Sequence, residues 1–231
     1  MVETTTTDGV ALVRMDDGKA NALSYEMMDA VEAALAQAEQ AGQPVVLTGR
    51  AGRFCAGFDL REMMKSPESA RNLVTRGADF LLRLYLFPRP LVIACSGHAL
   101  AGGALTLLTG DLRLCAQGGF RIGLNEVQIG MPVPVLAMEL ARDRLAPAAL
   151  QEATLFARIY GPEEARAAGY LDQVVDESAL LDAARGAALR LGALPAEAYS
   201  KTKTILRERT VNYVRQTLPM DMARLTPPVA S

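Results

Sequence analysis

The chain has 231 residues; half are hydrophobic and 22% are charged, and 24 Lys and Arg against 26 Asp and Glu leave a formal charge of −2. That length supports one domain, or one domain with an appendage, around a sizeable core, and the apolar fraction excludes a disordered protein. Arginine supplies 20 of the 24 cations, but no basic run offers a footprint for nucleic acid.

In chain order, Met1-Val2-Glu3 and the four threonines that follow have neither a cationic start nor an apolar h-region, so no signal peptide is expected. Val10 to Met15 reads as a strand stopped by Asp16-Asp17-Gly18. Ser24 is the expected cap of a helix whose Met27, Met28, Val31, Ala34, Leu35 and Ala38 share one face, with Gly42 just beyond its end. Val45 to Leu47 and Leu91 to Cys95 are short apolar runs introduced by Pro44 and Pro90, the pattern of strands covered on both faces. Between them, Ser69 to Tyr85 reads as a helix.

Pro90 to Gly110 carries no charge and is about long enough to cross a bilayer. Its four glycines, with Ser96 and His98 in the middle, suit a buried strand, a turn and a buried helix instead, so no membrane span is expected. Asp111 to Ala116 is a further strand. From about Val135 onward helical patterns dominate, broken at Pro147, Gly161-Pro162, Gly169 and Pro195, and Thr226-Pro227-Pro228 is expected to fray. The fold class is therefore α/β with a helical C-terminal segment, divided as 1–175 and 176–231.

Cys55, Cys95 and Cys115 show no paired spacing, and with His98 as the sole histidine a Cys/His metal centre is excluded. Reduced, buried thiols in a cytoplasmic protein are the expectation. Ser96 and His98 make no hydrolase triad: there is no G-x-S-x-G elbow, and His98 sits two residues from the serine. Neither a G-x-G-x-x-G turn after the first strand nor a P-loop is present, which argues against a dinucleotide cofactor.

Three glycine-bearing segments remain: 53–60, 96–103 and 122–126. The first two follow buried strands, where open α/β sheets place ligands. Gly102-Gly103 opens a helix, and free N–H groups there suit a developing oxyanion, although the same glycines would serve tight strand–helix packing equally well. Glu126 lies in an apolar stretch from Phe120 to Pro134. Desolvation there would raise its pKa toward that of a general base, while on its own it reads more simply as an exposed loop glutamate.

Taken together and in this order, the segments resemble the crotonase superfamily, the enoyl-CoA hydratase/isomerase group, from about Gly9 to Thr210. Lys19-Ala20-Asn21-Ala22-Leu23 is similar to its N-A-L element, and Phe54-Cys55-Ala56-Gly57-Phe58-Asp59-Leu60 to its F-x-x-G-x-D-L loop. Ser96 to Gly103 is similar to its N-G-x-A-x-G-G-G turn, and Asp111 to the Asp closing the helix that follows. The resemblance implies stacked ββα turns with a C-terminal helical region used in trimer assembly, as a homotrimer or a dimer of trimers. It implies an acyl-CoA thioester substrate, with coenzyme A entering as part of the substrate and no separate cofactor or metal.

Carried over by position, the oxyanion donors are the N–H groups of Phe58 and Gly102, the former more often a smaller residue in the family. Lys19, Ala20, Ala56 and Arg61 fall at CoA-binding positions, Leu105 and Met131 in the acyl pocket, and Glu126 at a catalytic glutamate. A hydratase of this family has a second glutamate two residues after Gly103, where this chain has Leu105. Moving a double bond from C3–C4 to C2–C3 is a 1,3-proton transfer that one carboxylate can perform. Ile122 to Gly130, Leu82 to Tyr85 and Gly169 to Val175 are also similar to Δ3,Δ2-enoyl-CoA isomerases of the mitochondrial type. The expected reaction is therefore that isomerisation, with hydration or silent acyl-CoA binding as the alternatives.

Overall fold

The computed structural model describes residues 1–225; the expected fraying at 226–228 lies outside the described residues. β1 (Val2–Thr7) and β2 (Val10–Met15) form an antiparallel hairpin through Asp8 and Gly9, both at positive φ as a tight two-residue turn requires. β1 was not expected from the sequence. Its run of β-branched threonines, exposed along an edge, favours extended backbone without any apolar alternation to reveal it.

The chain then winds in repeating turns, each delivering two strands and one or more helices. α1 (Tyr25–Gln40) starts where the Ser24 hydroxyl accepts the Met27 N–H at 3.2 Å, and it buries the six predicted apolar residues. β3 (Val45–Thr48) and β4 (Gly52–Cys55) lead to α2 (Leu60–Met63) and α3 (Pro67–Tyr85). α3 starts two residues before the predicted point because Ser66 caps it and Pro67 sits at its first position. β5 (Leu91–Cys95) and β6 (Gly97–Leu100) lead to α4 (Gly102–Thr109), and β7 (Leu112–Ala116) and β8 (Ile122–Gly123) to α5 (Val135–Arg144). α6 (Leu150–Thr154), α7 (Pro162–Ala168), β9 (Gln173–Val175), α8 (Leu180–Gly192) and α9 (Ala196–Arg224) complete the described chain.

Strands alternate between two sheets. β1-β2-β3-β5-β7-β9 form one of six strands and β4-β6-β8 one of three, all parallel except for β1. The larger sheet is covered on both faces. Val45, Leu47, Leu91 and Ile93 pack into the main core with α1 and α3, while Val46, Val92, Ala94 and Leu114 meet Leu180, Ala184, Ala187 and Ala188 of α8. This two-sided burial explains why these strands read as unbroken apolar runs.

α9 is held by a buried ionic knot. Lys203 Nζ donates to the carbonyls of Phe87 and Arg89 and to Asp111 Oδ2, at 2.7, 2.9 and 2.5 Å. The Arg207 guanidinium reaches Asp111 Oδ1 at 3.0 Å and lies over the Tyr85 ring. Burial lowers the Lys203 pKa to about 8, with Asp111 opposing that shift. Asp111→Ala leaves two buried cations without their anion, so it should cost about 3–5 kcal/mol in urea-monitored unfolding; a loss under about 1 kcal/mol would mean that α9 is held by apolar packing alone.

Candidate active site

Each strand of the small sheet ends at the same place, and each contributes one part of the site. β4 runs into Ala56-Gly57-Phe58-Asp59, β6 into Ala101-Gly102, and β8 into Leu124-Asn125-Glu126. The strands are two to four residues long, too short for any alternation, so the sequence presents them as loops.

The first loop is pinned to Leu23: the Leu23 N–H donates to the Gly57 carbonyl at 2.8 Å and the Asp59 N–H to the Leu23 carbonyl at 3.4 Å. Because this parallel bridge uses the groups on either side of Phe58, the Phe58 N–H is turned away and makes no hydrogen bond among the described residues. Gly57 holds φ +98°, and a β-carbon on it would lie 3.1 Å from the Gly102 nitrogen. The two loops therefore touch. Ala101 is held at φ 48°, ψ −122°, a conformation disfavoured for a residue with a side chain. It turns the chain so that Gly102 opens α4 with a free N–H, reinforced by the helix dipole.

The two glycines differ in how tightly they are packed. A β-carbon on Gly103 would lie 2.0 Å from the Cys55 carbonyl oxygen, which is a packing requirement. A β-carbon on Gly102 would meet looser neighbours, a Leu23 methyl carbon at 3.0 Å and Gly57 Cα at 3.3 Å. The Phe58 ring lies over Gly77 of α3, where a β-carbon would come within 2.0 Å of it. The missing side chain at 77 makes the space for the large one at 58.

Beside these N–H groups lies a cavity of about 110 Å³, bordered by Ala56, Phe58, Leu105, Asn125, Glu126 and Met131 among other apolar residues. Glu126 is 6% exposed, and its Oε2 has no partner among the described residues. Its backbone is fixed by a 3₁₀ turn in which its carbonyl accepts the N–H groups of Ile129 and Met131, closed by Gly130 at φ 76°. Burial pushes its pKa up to about 7, opposed only by its own backbone N–H. Among the described residues, Glu126 is the only ionisable side chain lining this cavity.

A second groove, about 370 Å³, adjoins the first across Ala56 and is lined by Lys19, Ala20, Arg50, Arg53, His98 and Arg121. Lys19, Ala20 and Ala56 thus come together as the sequence suggested. Arg61 does not join them. It lies exposed on α2, outside both cavities, with its N–H held by Asp59.

Sequence reasoning missed Asn125, whose buried Oδ1 is also unpartnered, and the cations Arg53 and Arg121. Adjacency to Glu126 was the available signal for the first. The second two sit on or beside strands too short to be recognised.

The raised pKa of Glu126 has a stability consequence. The folded state holds its proton up to about pH 7 whereas the unfolded chain releases it near 4.5, so this group lowers stability as pH rises through that window, and the cost is complete above it. Glu126→Gln should therefore stabilise the protein at pH 8 by an amount on the order of 3 kcal/mol, converging with the native chain near pH 4.5; equal stabilities across the range would refute the desolvated carboxyl.

The enoyl-CoA hydratase/isomerase family model matches residues 5–228. The human mitochondrial enoyl-CoA delta isomerase 1 is 32% identical over 217 residues, covering 92% of this chain and 72% of that protein. An enoyl-CoA hydratase/isomerase family protein from Pseudomonas syringae superposes with a TM-score of 0.95 at 40% identity, covering 97% and 98% of the two chains. An enoyl-CoA hydratase from Mycobacterium marinum does so with 0.91 at 34%, covering 97% and 99%. With its paired strands feeding two sheets and a family model matching nearly its whole length, the chain belongs to the enoyl-CoA hydratase/isomerase family, the crotonase fold.

Proposed function

We propose that the protein shifts the double bond of a 3-enoyl-CoA to the 2-position. The observation that carries this reading is that the cavity holds one ionisable group among the described residues, Glu126, while apolar Leu105 lines it at the position where hydratases of the family carry a second glutamate. The thioester oxygen accepts from the N–H groups of Phe58 and Gly102. Ionised Glu126 removes a proton from C2, and the electron pair spreads over the dienolate while the two N–H groups hold the negative charge. The protonated glutamate returns the proton to C4, leaving the conjugated thioester and regenerating the carboxylate. Nothing is consumed, and coenzyme A takes part only as the substrate's handle. The apolar wall of Leu105 and Met131 keeps water from the dienolate.

Hydration is the second reading. Asn125 favours it, because an unpartnered amide oxygen beside Glu126 is a seat for a water molecule. We also propose self-association, as a homotrimer or a dimer of trimers. Leu206, Tyr213 and Met220 recur every seven residues along α9 and are 73%, 48% and 55% exposed, an apolar stripe suited to a second copy of the chain. The three free thiols suit a reducing compartment, the cytoplasm in our reading, and a place in fatty-acid β-oxidation follows from the proposed reaction.

Assayed side by side, a 3-enoyl-CoA should gain the absorbance of the conjugated thioester while a 2-enoyl-CoA keeps it; loss of the second to water would establish hydration, and acyl-CoA binding with no change in either would favour silent binding. Glu126→Gln should lower kcat by about 10²–10⁴-fold with acyl-CoA affinity nearly unchanged. Since the ionised form is the base, kcat/KM in the native protein should fall about tenfold per pH unit below about 7. A flat profile through pH 6 would remove Glu126 from the mechanism.

A further inference from the structure

Gly77 stands near the middle of α3, a helix of 19 residues, where only proline is less favoured than glycine. Its backbone is ordinary right-handed helix, so no turn calls for it. The reason for it lies on a neighbouring loop. A β-carbon at 77 would lie 2.0 Å from Phe58 Cε1 and 2.4 Å from Cζ. The Phe58 ring therefore occupies the place that a side chain at 77 would take.

That ring also borders the cavity that holds Glu126. On the side of α2 and α3 the border is completed by Met63 and Val74, which are 3% and 4% exposed. Val74 and Gly77 are three positions apart on α3 and share one face of it, both buried. Val74 lines the cavity and Gly77 does not, because the ring lies against it. Without the ring, the space beside Val74 would continue along the helix to Gly77.

The space that remains is small. An apolar cavity of about 150 Å³ takes one benzene molecule, six carbons. At about 110 Å³ this cavity takes about four or five carbons on the same scale. The carbons from the thioester carbonyl to C4, which must lie beside Glu126 for the proton transfer, fill most of that. A further border is Leu60, 53% exposed, where carbons in excess of the cavity emerge into water and gain little burial.

We propose that the Phe58 ring, seated on Gly77, sets the chain length of the substrate and restricts the protein to short acyl groups of about four to six carbons. This rests on the acyl-CoA reading of the same cavity and names the substrate class within it. One residue then has two tasks: its backbone N–H faces the thioester oxygen, and its side chain ends the acyl cavity along α3.

Titration calorimetry with saturated acyl-CoA thioesters of four, six, eight, ten and twelve carbons reads binding without turnover. Each methylene that is buried should raise affinity about fourfold. In the native chain that gain should hold from four to six carbons and then stop, leaving the six- and ten-carbon thioesters within about twofold of each other. Phe58→Ala opens the space as far as Gly77, so the ten-carbon thioester should then bind at least about tenfold more tightly than the six-carbon one. Because the readout is a ratio, it divides out any uniform loss from a disturbed loop. Gly77→Ala should act in the opposite direction, driving the ring toward the cavity and lowering six-carbon relative to four-carbon affinity by about threefold or more. Phe58→Ala/Gly77→Ala, with no ring to displace, should not show that loss. Should Gly77→Ala fail to fold, the Phe58→Ala ratio decides alone. Native affinity that climbs through twelve carbons, or native ratios in either folded single variant, overturns the proposal. If a 3-enoyl-CoA is still isomerised in that case, the isomerase reading stands without it. A native plateau at six carbons in a protein that turns over no enoyl-CoA keeps the length limit and sinks the isomerase reading, whereas no binding of any acyl-CoA sinks both.

Discussion

Gly103 has no room for a side chain, since a β-carbon would sit 2.0 Å from the Cys55 carbonyl, and Gly57 presses against Gly102 in the same way at 3.1 Å. This close approach of two backbones lets the end of β4 and the start of α4 share a wall. It sets Phe58 and Gly102 on adjoining loops, and the pairing of β6 with β8 brings in the loop that carries Glu126, which follows the neighbouring strand. Any side chain at 103 would separate β4 from α4 and dissolve the arrangement. The strained backbone of Ala101 is tolerated because the sheet on one side and the helix on the other determine it.

Burial serves opposite ends in two places. Around Glu126 an apolar lining leaves an oxygen without a partner and lifts the pKa into the neutral range, a destabilising feature that suits proton transfer. Around Asp111 burial is matched with partners: Lys203 and Arg207 converge on one carboxylate, and the surplus donors find backbone carbonyls at the ends of α3 and α4. The first group keeps a buried oxygen without a partner among the described residues. The second holds a helix because almost everything in it is satisfied.

The C-terminal helix is tied to the site through more than this knot. α5 has no side-chain cap of its own, and Asp221 of α9 accepts the Val135 N–H at 2.8 Å at that helix start. Val135 follows the segment from Met131 to Pro134 that borders the cavity. The far end of α9 therefore steadies one wall of the cavity, while Leu206, Tyr213 and Met220 are exposed along the same helix.

Much of the frame was legible because its cause is local. Ser24 before an apolar face, Pro44 and Pro90 before short β-branched runs, and Gly169 at φ 95° each act within a few residues, so the helices and the larger sheet's central strands could be read directly. β1, β4, β6 and β8 could not, because an exposed threonine edge and strands of two to four residues owe their form to neighbours distant in the chain. The identity of Glu126 as a candidate base came from motif likeness, but its desolvation is a property of the packed cavity. Arg61 shows the reverse: a cation in the expected place along the chain lies outside the groove, while Arg53 and Arg121, 68 positions apart in sequence, line the same groove. Sequence by itself determined which backbone segments could turn, cap and approach. Tertiary structure decided which charges meet and which are left alone, because burial and electrostatic neighbourhood are set by contacts between segments and not by their order.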